Sequence, residues 1–443
     1  MHLGKSFWWA LLIFLLSVFG SLVPSNPIKN ILEKLAIIWG LIIASCWIWT
    51  FFSLHGLSIR RSTRTLRQSV GEIFIERIEV INQSRFMKIW LRIDDQSELL
   101  GPDRNKILTN IGKNQSRTYS ISTLLRYRGL FNLGPTVITA GDVFGLFENS
   151  KIIPSVSHLL VLPFQVSLSQ FPAPFGVLPG GRAFRQKTTE VTPFSAGVRE
   201  YQTGDPLRRI HWPTTVRKDK LIVKEFEKDP LTEVWIFIDL IKENHSKFDN
   251  EEIREKSQDT LFWMGFRFKF ELPFSTLEYC ISTAATVAKY FIYQNREVGF
   301  MTNDKNSSQL MASRGERHLE KILENLALLD ANGEIPINIL VQHALDAVVR
   351  GSTIVLITPA VDKAIVTTAV EILRRGILPI VVLIDSSPFG GNSQLGELET
   401  NLITLGIHVI RITLGDDLGR QLETGMARFS NDFVYTQRSI LVQ

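Results

Sequence analysis

Glu233 to Leu240 reads EVWIFIDL, five apolar residues in a row that stop at an acid, Asp239. A short unbroken apolar run of this kind is the mark of a strand covered on both faces, as in a parallel sheet. Toward the C-terminus the pattern returns in EVGFMTND (297–304), STIVLITPA (352–360), LPIVVLID (378–385) and IHVIRITLG (407–415). The intervening stretches have helical spacing. In TLEYCISTAATVAKYFIYQ (276–294), Leu277, Ile281, Ala284, Ala288 and Phe291 fall roughly on one face, and further helices are expected near 315–329, 337–349, 361–375 and 416–427. Strands alternating with helices predict a doubly wound α/β parallel sheet over 233–443. An insertion near 241–275 interrupts it: KENHSKFDNEEIREKSQD is polar, and LFWMGFRFKFELPF then alternates Phe266, Phe268 and Phe270 with Arg267 and Lys269. Such a segment reads as an added edge hairpin, or as a surface that docks on membrane or protein.

Upstream, residues 68–170 change to period two. EIFIERIEVINQS alternates Ile73/Ile75 and Ile78/Val80, and FMKIWLRID puts Met87, Ile89, Leu91 and Ile93 on one side. Strands broken by N-Q-S, G-P-D, G-K-N and L-G-P turns predict an antiparallel β-sandwich. Before it, Phe7 to Val23 and Leu35 to Leu54 are uncharged apolar runs long enough to approach or cross the hydrocarbon of a bilayer, about 30 Å. Pro24 and Pro27 break the chain between them, so residues 1–67 are expected to form a transmembrane hairpin with a basic flank. Arg60, Arg61, Arg64 and Arg67 follow the second span. Positive charge there argues for a multi-pass protein of the cell membrane, with its N-terminus and soluble domains cytoplasmic.

The formal charge of +5 invites a nucleic-acid reading, but its distribution does not support one. Seven of the 49 basic residues and one of the 44 acidic residues lie in the first 67, so the remaining chain is near neutral. Two cysteines and eight scattered histidines supply neither a disulfide framework nor the spacing of a zinc enzyme. No Walker loop, dinucleotide fingerprint or Ser/His/Asp arrangement emerges.

The densest polar segment is FSAGVREYQTGDPLRRIHWPTTVRKDKLIVKEFE, Phe194 to Glu227, within a linking region 171–232. Gly-Asp-Pro reads as a turn into a short helix, with Asp205 as cap and Pro206 at the first helical position. Its bases and acids are expected to pair, with Trp212 and Tyr201 packed beneath a domain junction. Phe194, Arg199, Tyr201, Gly204, Asp205, Arg208 or Arg209, Ile210, Trp212 and Arg217 resemble the signature of the family called domain of unknown function 58. Thr215-Val216 departs from the small-Ala that normally precedes the arginine. RGLFNLGPTVITAGDVFGLF, which contains Asp-x-Phe-Gly-Leu, resembles a second element of that family.

The resemblance implies a von Willebrand factor A-like C-terminal half and partnership with a MoxR-type AAA+ ATPase. Domains of that kind often hold Mg²⁺ through D-x-S-x-S, a distant Thr and a distant Asp. Here Leu240-Ile241-Lys242-Glu243 follows Asp239, Gly333-Glu334-Ile335 stands where Gly-x-Thr is expected, and the next strand ends in Thr358-Pro359. The metal site at Asp239 and Thr358 is thus read as degenerate, with no cofactor. The resulting expectation is a non-enzymatic scaffold or adaptor whose partners are the lipid bilayer and the ATPase, not nucleic acid. Two alternatives stand beside it: a hydrolase or ligand sensor using Asp205 and His211, and polyanion binding through the Arg-rich segment.

Overall fold

A computed structural model describes residues 2–23, 28–99, 101, 104–154, 157–172, 187–188, 195–202, 205, 207, 210–227, 233–247, 270–305, 308–389, 395–413, 415 and 417–424. The chain divides into two compact units, the first containing residues 1–162 and the second containing 163–252 and 271–443. Phe266–Lys269 of the insertion, and Gly204, Arg208 and Arg209 of the linking region, lie outside the described residues.

The first unit opens with a two-residue strand, β1 (His2–Leu3), and two antiparallel helices, α1 (Lys5–Leu22) and α2 (Lys29–Ser53), both long and apolar enough to cross a membrane. Ten strands follow: β2 (Leu57–Thr63), β3 (Arg67–Ser69), β4 (Ile73–Asn82), β5 (Lys88–Asp95), β6 (Lys106–Ile111), β7 (Ser116–Leu124), β8 (Gly129–Leu133), β9 (Thr136–Gly141), β10 (Phe147–Ile153) and β11 (Ser157–Leu162). They form sheets ordered β1-β10-β9-β5-β6, β2-β4-β7 and β3-β11-β8. All pairings are antiparallel except β3 with β11. Leu57, Ile78, Val80 and Ile121 from the β2-β4-β7 sheet share one apolar core with Leu91, Ile93, Ile111 and Ile138 from the five-stranded sheet.

The sheet domain therefore begins at Leu57 and not at 68, because β2 continues almost directly from α2. The ends of these elements are bound together by polar groups. Lys88 is buried, and its ammonium donates to the Phe52 and His55 carbonyls at 3.1 and 3.0 Å, supplying partners that the last turn of a helix lacks. The Asn82 side chain holds the β4–β5 turn by donating to the carbonyls of Phe86, Ile111 and Gly112.

The structure settles two placements that the alternation leaves open. The inward face of β4 is Phe74, Glu76, Ile78 and Val80, while Ile73 and Ile75 face out. Likewise, Arg61 is not a surface charge. It sits on β2 with its side chain 12% exposed. Both facts have one cause, a four-charge cluster between the sheets. Arg61 binds Asp95, lies 3.2 Å from Glu76 Oε2, and donates to Thr136 Oγ1. Arg104 Nη1 is 2.5 Å from Glu76 Oε1 and 2.9 Å from Asp95 Oδ2, and its Nη2 donates to Thr123. Two guanidinium groups and two fully buried carboxylates cancel in formal charge, which is what makes their burial tolerable. Arg60, Arg64 and Arg67 remain exposed. From Leu57 to Thr63 the extended chain rises about 20 Å, so Arg64 and Arg67 stand well away from the end of α2.

The second unit holds β12 (Lys187–Thr188), β13 (Ser195–Glu200), helix α3 (Trp212–Lys218) and β14 (Ile222–Glu227), with the strands ordered β12-β14-β13. Then come β15 (Val234–Ile238), α4 (Thr276–Tyr293), β16 (Val298–Thr302), β17 (Gln309–Ser313), α5 (Glu316–Leu328), α6 (Ile337–Ala344), β18 (Thr353–Thr358), α7 (Lys363–Arg374), β19 (Leu378–Ile384), α8 (Leu395–Thr404) and β20 (His408–Ile412). The sheet order is β17-β16-β15-β18-β19-β20, parallel except for the edge strand β17. Trp235, Phe237, Ile354, Leu356, Val381 and Leu383 share a core with α6, α7 and α8. The buried face of α4 is applied to the other side of the sheet, through β15, β16, β18 and β19.

Beyond the expected pattern, β17 and α8 are additional elements, and the helix expected over 337–349 ends at Ala344. The segment 163–172 packs in this second unit rather than finishing the β-rich one. The Val166 amide donates to Thr286 Oγ1, and the Phe171 ring meets Phe291 at 5.6 Å.

The buried cluster gives the first unit an acid-sensitive stability. Burial pushes the Asp95 carboxyl up, but Arg61, Ser97 and Arg104 together hold it below the usual carboxylate range. A folded value below the unfolded one means the contribution is complete above the unfolded pKa and lost as pH falls through the folded value. Asp95→Asn should remove that acid limb and cost about 3–5 kcal/mol at neutral pH, because two buried arginines lose a counter-charge. Denaturant unfolding across an acid pH series checks this, and equal pH slopes for the two proteins would contradict it.

Candidate functional site

Two places in the second unit gather the residues singled out by the sequence. The first is the carboxyl edge of the parallel sheet. From β15 the chain moves to β16 on one side, while β18 lies on the other, so the strand order reverses between β15 and β18. Crevices at such reversals are where open α/β sheets bind ligands. Asp239 follows β15 and Thr358 ends β18, and both are buried.

The Asp239 carboxylate is filled with donors. Oδ2 accepts from Thr358 Oγ1 at 2.8 Å and Asn244 Nδ2 at 2.9 Å. Oδ1 accepts from the Ile241 amide at 3.1 Å and Asn303 Nδ2 at 3.3 Å. The orientation of Asn303 is set by its other bonds: its Oδ1 accepts the Leu240 amide at 2.7 Å, and its Nδ2 also reaches the Ile335 carbonyl at 2.7 Å. The amide therefore turns its donor, not its oxygen, toward Asp239. A hard cation such as Mg²⁺ requires oxygen ligands in these positions, so this donor set does not fit one. Among the described residues there is no group of three or more His, Cys, Asp or Glu that could hold a metal ion.

Asn303 is the residue that the sequence reading passed over, and it ties three loops together. The loop containing Gly333 comes in closely: the Gly333 amide donates to the Leu240 carbonyl, and a Cβ at Gly333 would stand 2.9 Å from the Leu240 backbone carbon. This explains a glycine there without a phosphate or a metal. The only sequence cue to Asn303 was its place directly after a buried strand, alongside Asp239 and Thr358 at the ends of theirs. His245 completes the edge, with Nε2 2.8 Å from the Asp239 carbonyl oxygen.

The second place is the signature segment. Arg199 on β13 grips both carboxylate oxygens of Asp205 at 2.7 Å, and the Gln202 amide adds a third donor at 2.9 Å. Arginine is suited to this planar, two-pronged contact. Asp205 thus closes a turn after β13; Leu207 lies in a 3-10 turn, and Pro206 lies outside the described residues. The helix of this segment is α3, whose N-cap is His211 with Pro213 in the first turn. His211 Nδ1 is 2.6 Å from Thr214 Oγ1, and the Tyr201 amide donates to the Leu221 carbonyl. Asp205 and His211 are consequently engaged with different partners. Lys220 meets Glu200 at 3.1 Å, and Arg217 sits in the exposed last turn of α3.

The aromatic residue expected to be buried is not. Trp212 is 61% exposed and Val216, one helical turn on, is 81% exposed. Leu207 and Leu221 are exposed in the same segment. Arg199 and Asp205 are paired with each other, Ile210, Ile222 and Val223 are buried, and Leu207, Trp212, Val216 and Leu221 face solvent.

Residues 197–259 match the profile of the family described as "Protein of unknown function DUF58". This segment of the chain is thus similar to the DUF58 family. The "Uncharacterized protein YeaD" of Bacillus subtilis (strain 168) is 22% identical over 228 residues, which are 51% of this chain and 48% of that protein. The chain thus spans about half the length of the curated relative it matches. Solved structures overlap only weakly. A β-glucosidase from Listeria innocua in complex with glucose gives a TM-score of 0.16 at 9% identity, covering 24% of this chain and 16% of that chain. The Pseudomonas fluorescens alkylpurine DNA glycosylase AlkC bound to DNA containing an abasic site analog gives 0.17 at 11% identity, covering 35% and 44%. Overlaps at this level carry no argument about fold or function. The DUF58 match spans the Arg199–Asp205 turn, α3, β14 and β15, and includes Asp239.

Replacing Asn303 tests the role of the amide at the sheet edge. Asn303→Ala leaves the buried Leu240 amide without its side-chain acceptor and removes one of the four donors to Asp239. The expected loss is about 2–4 kcal/mol in denaturant unfolding of the second unit. A loss under about 0.5 kcal/mol would place the residue among ordinary surface positions.

Proposed function

We propose that this protein is a non-catalytic, membrane-anchored adaptor whose signature segment docks a protein partner. The observation that carries this reading is the arrangement around α3. The Arg199–Asp205 pair fastens the turn after β13, and Trp212 and Val216 face outward on the helix that follows. An exposed tryptophan on a rigid turn is the kind of anchor that dominates protein interfaces. Arg217 and Lys218, in the last turn of α3, favour a partner surface that is apolar at its centre and acidic at its rim. The family resemblance nominates a MoxR-type AAA+ ATPase for that role.

The second unit then serves as a support. Its von Willebrand factor A-like character is an inference from the strand order and from the position of Asp239 and Thr358. With Asn303 and Asn244 donating to Asp239, this edge works as an internally bonded platform rather than as a metal-mediated contact. For the anchor, pairing of β1 with β10 supports a hairpin of two spans. One of these strands precedes both helices and the other follows them, so both ends of the hairpin belong on one side of the bilayer. Arginines after α2 assign that side to the cytoplasm.

Tagged full-length protein, extracted in mild detergent, should retrieve an AAA+ ATPase identifiable by mass spectrometry. Trp212→Ala with Val216→Ser should reduce the recovered ATPase by about tenfold or more, the effect of losing a central anchor. Undiminished recovery with the double variant, or no ATPase with the wild type, would overturn the reading.

A further inference from the structure

The turn between β9 and β10, Asp142 to Phe147, presents two apolar side chains to the outside. Val143 is 66% exposed and Phe144 is 64% exposed. This is not a loose loop. The Asp142 carboxylate accepts the amides of Phe144, Leu146 and Phe147 at 2.7, 3.2 and 2.6 Å. Trp90 Nε1 adds a bond to the Asp142 carbonyl at 3.2 Å. Three backbone donors on one carboxylate fix the turn's shape, so the two side chains are held outward.

The turn is also fastened to the helix pair. Leu146 and Phe147 form one buried cluster with Ala10 of α1 and Cys46 of α2. The Gly4 amide donates to the Leu146 carbonyl at 2.8 Å, and a Cβ at Gly4 would lie 2.0 Å from the Gly145 carbonyl oxygen. Only glycine allows this approach. The cluster fixes a depth. Ala10 lies five residues inside the start of α1, about 8 Å along the axis, and Cys46 seven residues inside the end of α2, about 10 Å. Trp8 and Trp9 stand outward on α1 at this level, where indole rings mark the boundary between headgroups and hydrocarbon.

We infer that the β9–β10 turn is inserted into the bilayer, with Val143 and Phe144 in the headgroup–acyl boundary beside the anchor. The inference rests on the reading of α1 and α2 as membrane spans. The occupant of the exposed surface is lipid because the turn is continuous with the lipid-facing surface of the hairpin and packs below the ends of its helices. The sheet domain is thereby held by a third, shallow contact in addition to the two spans, and its orientation to the membrane plane is fixed.

Photo-crosslinking in the full-length protein tests this. Benzoylphenylalanine is introduced in place of Phe144, of Leu16 in α1, or of Gln96. Gln96 is exposed next to Asp95, at the end of the five-stranded sheet opposite the turn. Each protein is reconstituted in vesicles of phosphatidylethanolamine and phosphatidylglycerol and irradiated, and lipid adducts are read by mass spectrometry. The expected result is adducts at positions 16 and 144, several-fold above position 96. Adducts at 16 with position 144 no higher than 96 would overturn the insertion and leave the anchor intact. Lack of adducts at 16 would overturn the anchor and the insertion together.

Discussion

A carboxylate taken out of water must be given donors or counter-charges, and three buried acidic centres organise this chain through that requirement. Glu76 and Asp95 draw Arg61 and Arg104 between the sheets of the first unit. Asp142 gathers three backbone amides and sets the turn that meets the helix pair. Asp239 gathers an amide, a hydroxyl and two carboxamides at the edge of the parallel sheet. Hydrophobic burial gives each unit its bulk stability, but it is not directional. Register and loop position are set by these acids, whose bonds have fixed length and angle.

The sequence discloses these features unequally. EVWIFIDL and its repeats are legible because a strand buried on both faces leaves no alternative pattern. The helix pair is legible for the same reason, as uninterrupted apolarity. The cluster of Arg61, Glu76, Asp95 and Arg104 is not legible. Its members sit on separate segments, and a charged residue in an alternating strand reads as facing solvent. The alternation of Ile73/Ile75 with Ile78/Val80 leaves open which set faces the core. Glu76 points inward because two guanidinium groups wait there, which no local pattern records.

The candidate site divides along the same line. Arg199 and Asp205 are close in sequence, and their pairing follows from composition and spacing. Asn303 contacts Leu240 and Ile335, both distant along the chain, so only the folded sheet reveals why an asparagine follows β16. Trp212 went the other way. A tryptophan amid charges suggests a buried partner for them, whereas the arginine and the aspartate satisfy each other and leave the ring outside. Where local pairs close on themselves, the apolar residues beside them are released for contact with other molecules.

Arg61 carries a consequence for biosynthesis. A span is oriented by the positive residues of the still-extended chain, and Arg61 then counts equally with Arg60, Arg64 and Arg67. Once β2 and β4 pair, the same guanidinium disappears between the sheets, where Glu76 and Asp95 take up its charge. The folded surface beyond α2 therefore displays fewer positive groups than the extended chain does.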